Sequence, residues 1–188
     1  MLTELKAKIA YETEQAKMGK RAHIILKMNG LQDTEMINAL YDASIAGVKI
    51  DLIVRGINCL VPNQPYSKNI RIIRIIDSYL EHARVWYFYG GGKEEVYISS
   101  ADWMKRNLNR RIETALPILD SLIKRTIINI LTLQLQDNTQ ACLVDENLNN
   151  NYICTSGEKI RSQRRTYDLI EQISSDDERE HIPNYFIC

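Results

Sequence analysis

An imidazole, a guanidinium, a hydroxyl and a carboxylate stand at short spacing within residues 80–111, LEHARVWYFYGGGKEEVYISSADWMKRNLNRR. His82 and Arg84 are two apart, and so are Ser100 and Asp102. Phosphoryl chemistry draws on all four types. Histidine attacks phosphorus or moves a proton, arginine grips phosphate oxygens with a planar fork, a hydroxyl donates to an oxyanion, and a carboxylate orients a basic neighbour.

The intervening residues suggest how these groups are positioned. Residues 83–89 and 95–100 each read as a strand, and Gly90, Gly91 and Gly92 between them give a flexible hairpin turn. Side chains alternate faces along a strand. If the first strand reaches back far enough, His82 and Arg84 project on one side, and Ser100 and Asp102 do the same on the second.

Upstream, HIILKMN at residues 23–29 is an apolar run that turns polar at its carboxyl end. That is the pattern of a doubly buried strand delivering Lys27 and Asn29, on one face, to a ligand crevice. Asp33 predicts an N-cap for a helix over residues 36–46 that Gly47 stops. Residues 48–54 follow as a second buried strand. The resulting β-α-β unit predicts an α/β fold whose sheet is mixed but mainly parallel, flanked by helices. The second strand ends in Arg55-Gly56. An arginine there is costly unless it faces a crevice or has a partner, so Arg55 is a candidate anion ligand, and Gly56 lets the backbone turn away sharply. Residues 69–76 read as a strand with Arg71 and Arg74 on opposite faces, and His23 reads as structural.

Four cations, Lys105, Arg106, Arg110 and Arg111, crowd seven residues after Trp103. Such a run is either a solvated face or a guide for a polyanionic chain. Residues 111–118 read as a last strand, with Glu113 available to a site arginine. Residues 120–135 form an amphipathic helix whose stripe, Leu122, Ile123, Ile127, Ile130, Leu131 and Leu135, is explained by core packing. A lead-in helix over residues 1–20, a small hairpin of residues 142–144 and 152–154, and a closing helix over residues 162–173 complete the reading. The end, SSDDEREHIPNYFIC, reads as a mobile acidic tail.

With 188 residues, 45% of them hydrophobic, the chain can bury the core of one domain, assigned to residues 1–175 with residues 176–188 as tail. Lys+Arg and Asp+Glu both total 24, but the charge is unevenly placed. Residues 20–111 carry 14 basic and 9 acidic groups, and residues 137–188 carry 5 and 10. The positive excess lies where the candidate chemistry lies. Cys59, Cys142, Cys154 and Cys188 form no C-x-x-C pair, nothing resembles a signal peptide, and no apolar run reaches the roughly 18 residues of a membrane span. These features predict a reduced, cytoplasmic protein with no transmembrane segment and no metal site.

H-x-R with S-S-A-D resembles a degenerate form of the H-x-K and G-S-x-N signature of the phospholipase D superfamily. LEHARVWYF with YISSADWMKRNLNRR resembles, far more specifically, the C-terminal catalytic domain of bacterial polyphosphate kinases. KMNGLQD and ALYDASIAGVKIDLIVRGINCLVPN are similar to that family too, and the resemblance covers roughly residues 1–170. It implies a phospholipase D-like fold and reversible transfer of the ATP γ-phosphate to inorganic polyphosphate. It also implies that Arg55 and His82 bind ATP phosphates and that His82 acts as a proton donor or acceptor. Lys27, Asn29, Arg84, Ser100, Arg106 and Arg110 are further phosphate contacts by the same match, whereas Lys105 stands where the family commonly has proline. The family's phosphohistidine and its Mg²⁺ ligands belong to a preceding domain, expected to be absent here. The resemblance further implies a homo-oligomer in the full-length enzyme, no nucleic-acid partner, and a cytoplasmic location that allows membrane association. A phospholipase D-type phosphodiesterase half-site and a non-catalytic polyanion-binding module are the alternatives.

Overall fold

A computed structural model of the chain describes residues 1–177. Strand β1 (His23–Met28) is apolar on both faces because both are covered. Ile24, Leu26 and Met28 join one buried cluster, together with Leu5 and Ile9 of helix α1 (Leu2–Lys17) and Met36 and Leu40 of helix α2 (Thr34–Ile45). Ile25 joins the opposite cluster, with Leu131. Asp33 caps α2 as expected, its Oδ1 accepting from the Met36 N–H at 3.1 Å. Beyond it come strands β2 (Lys49–Val54), β3 (Ile70–Ile75), β4 (Arg84–Phe88), β5 (Glu95–Ser99), β6 (Ala115–Pro117), β7 (Ala141–Val144) and β8 (Asn150–Tyr152). They form one mixed sheet in the order β6-β5-β4-β1-β2-β3-β7-β8.

The sheet is mostly antiparallel, which corrects the expectation of a mainly parallel one. Only β1 with β2 and β2 with β3 pair in parallel among the described residues. The crossover through α2 and the long loop of residues 55–69 impose that direction. From β4 onward, β4 with β5 and β7 with β8 are hairpins, which need antiparallel partners, and the helical connections before β6 and β7 bring those strands back antiparallel as well. The reversal has a consequence for the site. Because β4 runs against β1, with Val85 opposite Lys27, the beginning of β4 lies beside the carboxyl ends of β1 and β2.

The glycine turn is less free than its composition suggests. Gly90, Gly91 and Gly92 all adopt positive φ, but the Gly90 N–H donates to the buried Glu12 of α1, which also accepts from the His23 N–H at 3.0 Å. Burial raises the Glu12 pKa, and the two backbone bonds work against that.

Helix α3 (Lys105–Arg110) is short, with Asn107 its buried residue. Helix α4 (Ser121–Gln136) covers the second sheet face, and helix α5 (Ser162–Asp177) packs against it. Core packing accounts for only part of the α4 stripe: Leu131 is buried, Ile127 and Leu135 pack against the core, and Leu122 and Ile123 are exposed. α5 runs to Asp177, past the expected end at residue 173, and the rest of the acidic tail lies outside the described residues.

Asp137, buried at the end of α4, joins three elements. Its Oδ1 accepts from the N–H groups of Thr139, Gln140 and Ala141 at 2.9, 2.8 and 3.1 Å, and its Oδ2 from that of Ser162 at 2.7 Å. Asp137→Ala would strand these donors, and each buried one left unpaired costs about 1–3 kcal/mol. Urea denaturation is expected to show a loss of at least about 3 kcal/mol with an unchanged slope.

Candidate functional site

Asn29 and Arg55 follow the last residues of β1 and β2, Arg84 opens β4 and His82 lies two residues before it, so the reversed strand delivers them to one end of the sheet. Arg55 Nε donates to Asn29 Oδ1 at 2.9 Å, and Arg55 Nη2 lies 3.4 Å from His82 Nδ1. The His82 carbonyl accepts from Arg84 Nη1 at 3.0 Å and from Asn29 Nδ2 at 3.5 Å. The imidazole is therefore exposed while its backbone is held.

Arg84 is held in turn by Asp102, through Nη2 to Oδ2 at 3.0 Å and Nε to Oδ1 at 3.3 Å. Asp102 Oδ1 also accepts from the N–H groups of Asn29 and Gly30 at 2.7 and 3.0 Å. β4 begins at Arg84, so strand alternation does not carry back to His82; backbone bonds relate the two residues instead. Gly56 is needed for a different reason than turning: a Cβ there would lie 2.7 Å from the Asn29 carbonyl oxygen.

Lys27 lies beneath this surface. Its buried ammonium donates to Glu81 Oε2 at 2.5 Å and to Gln134 Oε1 at 3.0 Å, beside a closed cavity of only about 10 Å³. Burial lowers its pKa, with Glu81 opposing. Burial works against the Glu81 charge as well, but Lys27, Gln163 and Gln134 outweigh it and hold that carboxyl below its usual range. As a phosphate contact Lys27 would have to abandon these partners.

Ser100 donates to Glu113, which also accepts from Asn107 Nδ2 at 2.6 Å, so Glu113 binds a hydroxyl and an amide instead of the expected arginine. These two bonds hold its pKa below the usual range. Arg106 and Arg110 are exposed on α3. Contacts thus gather Asn29, Arg55, His82 and Arg84 into one cluster, with Lys27 below it, whereas Ser100, Arg106 and Arg110 have no hydrogen bond or ion pair to it among the described residues. Sequence reasoning missed Glu81, Gln134, Gln163 and Arg161. Adjacency to His82 could have flagged Glu81; the others are 52 or more residues from it and carry no local signal.

Three of the cations near the site are matched with carboxylates, whereas among the described residues Arg55 is not, nor is Arg74, which donates to the Val54 and Gly56 carbonyls instead. Lys27 has Glu81, Arg84 has Asp102, and Arg161 has Asp77. Arg55 has no carboxylate within ion-pair distance among the described residues; its neighbours are a neutral amide and an imidazole. An open cavity of about 370 Å³ adjoins it, lined also by Ile76, Ser78, Tyr79 and Leu80. Cavities of about 390 and 430 Å³ lie elsewhere, away from Arg55 and His82, so size alone does not mark the site.

Fold and site together define a phospholipase D-like α/β domain with an unbalanced arginine beside a histidine. A phospholipase D family member, Nuc from Salmonella typhimurium, shares the fold with a TM-score of 0.51 at 13% identity, over 71% of this chain and 88% of that one. The sequence matches the family described as polyphosphate kinase C-terminal domain 2 over residues 1–163, and the chain belongs to that family. It is 42% identical to a polyphosphate kinase from Vibrio parahaemolyticus over 95% of its length, and 49% identical to one from Synechocystis over 75%. The crystal structure of polyphosphate kinase from Porphyromonas gingivalis superposes with a TM-score of 0.92 at 54% identity, over 94% of this chain and 27% of that one. The chain spans about a quarter of the length of the curated relatives it matches.

Bonds from Arg161 pull the Asp77 pKa down to about 2. A carboxyl depressed in the folded state adds stability above its unfolded pKa of about 4, lost as pH falls through the folded value. Acid titration followed by circular dichroism is expected to show a loss of stability between about pH 4 and pH 2 that is smaller in Asp77→Asn.

Proposed function

We propose that this chain forms part of a polyphosphate kinase and binds the phosphates of ATP and of inorganic polyphosphate during reversible transfer of the ATP γ-phosphate. The observation that carries the reading is Arg55: a cation without a carboxylate partner among the described residues, 3.4 Å from His82, beside an open cavity, in a chain of this family. Phosphoryl transfer asks the protein for positioning and charge neutralisation more than for covalent chemistry. Arg55 offers its fork to nucleotide phosphate oxygens. His82 donates or accepts a proton at the reacting phosphate, a task suited to imidazole because it ordinarily titrates near neutrality.

Arg84 and Asn29 support His82 by holding its carbonyl, and Lys27 acts through Glu81. Ser100, Arg106 and Arg110 border the path of the polyphosphate chain, where exposed cations raise the local concentration of a polyanion. A phospholipase D-type phosphodiesterase would need lysine at position 84, where the arginine is instead paired with Asp102. A module that only binds polyanions leaves His82 without a task.

Mg²⁺ neutralises the transferred phosphate in this class of reaction. The carboxylates beside the site do not fit it. Glu81 is committed to Lys27, Asp102 to Arg84 and Glu113 to Ser100 and Asn107, and no group of three possible ligands gathers among the described residues. None of the steps assigned here passes through the ion. We assign the phosphate-carrying nucleophile to the remainder of a longer polypeptide, which makes that remainder the principal partner, and we expect the full-length enzyme to be a cytoplasmic homo-oligomer. No helix among the described residues is long and apolar enough to cross a membrane.

Steady-state polyphosphate synthesis by a full-length enzyme carrying this domain tests the assignment. Arg55→Ala is expected to raise KM for ATP and lower kcat, and Arg55→Lys to recover only part of both, because lysine restores charge but not the fork. His82→Ala is expected to lower kcat by about 10²–10⁴-fold. Near-normal kcat in His82→Gln would reduce His82 to a phosphate contact, and near-normal kcat in His82→Ala would remove it from the reaction.

A further inference from the structure

We propose that Arg161 and Gln163, at the start of α5, are positioning residues for His82: they hold the loop of residues 76–83 in the path that sets the imidazole against Arg55. This rests on the reading of His82 given above.

The loop carries its large apolar side chains outward. Ile76 is 67% exposed, Tyr79 57% and Leu80 72%, so burial of apolar surface does not fix its course. Polar contacts at Asp77, Ser78, Tyr79 and Glu81 do so instead. Arg161 binds the Asp77 carboxylate with both Nε and Nη2, the Nε contacts at 2.8 and 3.1 Å, and its Nη2 reaches Ser78 Oγ at 2.8 Å. The Gln163 amide brackets Tyr79. Its Oε1 accepts from the Tyr79 N–H at 2.9 Å, and its Nε2 donates to the Tyr79 carbonyl at 2.8 Å. The same Nε2 donates to Glu81 Oε1 at 2.9 Å, and the other Glu81 oxygen takes Gln134 and Lys27. Strand β1 and helices α4 and α5 therefore converge on the residue that precedes His82.

The clamp is itself anchored. Ser162, between the two clamping residues, is fully buried and donates its N–H to Asp137, which organises the junction of α4 and β7. Gln163 is 7% exposed, and the Tyr79 and Tyr167 rings meet edge to face at 5.8 Å. Side chains more than eighty residues away in sequence thus hold the backbone at position 79 and the side chain at position 81. The His82 ring has one hydrogen-bond partner of its own, Arg55, among the described residues. Its placement depends on that backbone. A displacement of about 1 Å at a reacting group can cost about 10²-fold in rate.

The test is a double-mutant cycle on kcat in a full-length enzyme carrying this domain, with Gln163→Met, His82→Ala and the pair. Gln163→Met keeps the bulk and removes the bonds. It is expected to lower kcat by at least roughly 10-fold, and to lower it no further when His82 is already alanine, because residues acting through one group are not additive. Multiplicative effects, or an unchanged kcat in Gln163→Met, would overturn the proposal. An unchanged kcat in His82→Ala alone would instead overturn the reading on which it rests, and that result needs no Gln163 variant. If Gln163→Met folds poorly by thermal denaturation, Arg161→Met, whose side chain is partly in solvent, runs the same cycle with the same outcomes.

Discussion

The Asp102 carboxylate ties together the segments that the site is built from. It lies just beyond β5, pairs with Arg84 at the start of β4, and accepts the N–H groups of Asn29 and Gly30 just beyond β1. A buried carboxylate without compensation is expensive, and here a guanidinium and two backbone amides offset the cost. This geometry requires β4 to run against β1. Were β4 parallel, its first residue would sit about 13 Å away, four strand steps at about 3.3 Å each, and neither Arg84 nor His82 would reach Arg55.

The sequence made the parts of the site legible better than the frame that joins them. Residues 23–29 and 48–55 could be read as buried strands because apolar side chains on both faces and a polar carboxyl end are local signals. Residues 83–100 could be read as a hairpin for the same reason. Strand direction in the rest of the sheet was not legible, because it depends on which strands become neighbours, and β4 inserts beside β1 across the whole β2–β3 excursion. Lys27 shows a second limit. Alternation placed it on the face and at the strand end expected of a ligand, but the acceptors that occupy it come from residues 81 and 134. Gly56 shows a third, since its small size answers to the Asn29 carbonyl of another strand.

The matching of charges at this end of the sheet also bears on what the surface selects. A cation already paired with a carboxylate gains little from a phosphate unless it gives up its partner, and giving it up leaves the carboxylate uncompensated. Lys27, Arg84 and Arg161 are held in that way and serve as rigid parts. Arg55 is bonded instead to the Asn29 amide and the His82 imidazole, with no carboxylate among the described residues to neutralise it, which leaves its charge available to an anion. Within a site of this form, the paired ions preserve the geometry around a fork that no carboxylate among the described residues neutralises.

A polymeric substrate adds a demand that a small ligand does not make: the reacting group must be reachable along an open surface and still be held still. Burying a histidine to immobilise it would close that surface. The fold separates the two requirements by fixing the backbone on either side of His82, through Glu81 before it and through its own carbonyl and Arg84 after it, while leaving the ring exposed. The ordering cost is met by groups behind the loop, on β1, α4 and α5, and not by the open surface beside Arg55. Rigidity at the backbone and openness at the side chain are then compatible, because different residues provide each.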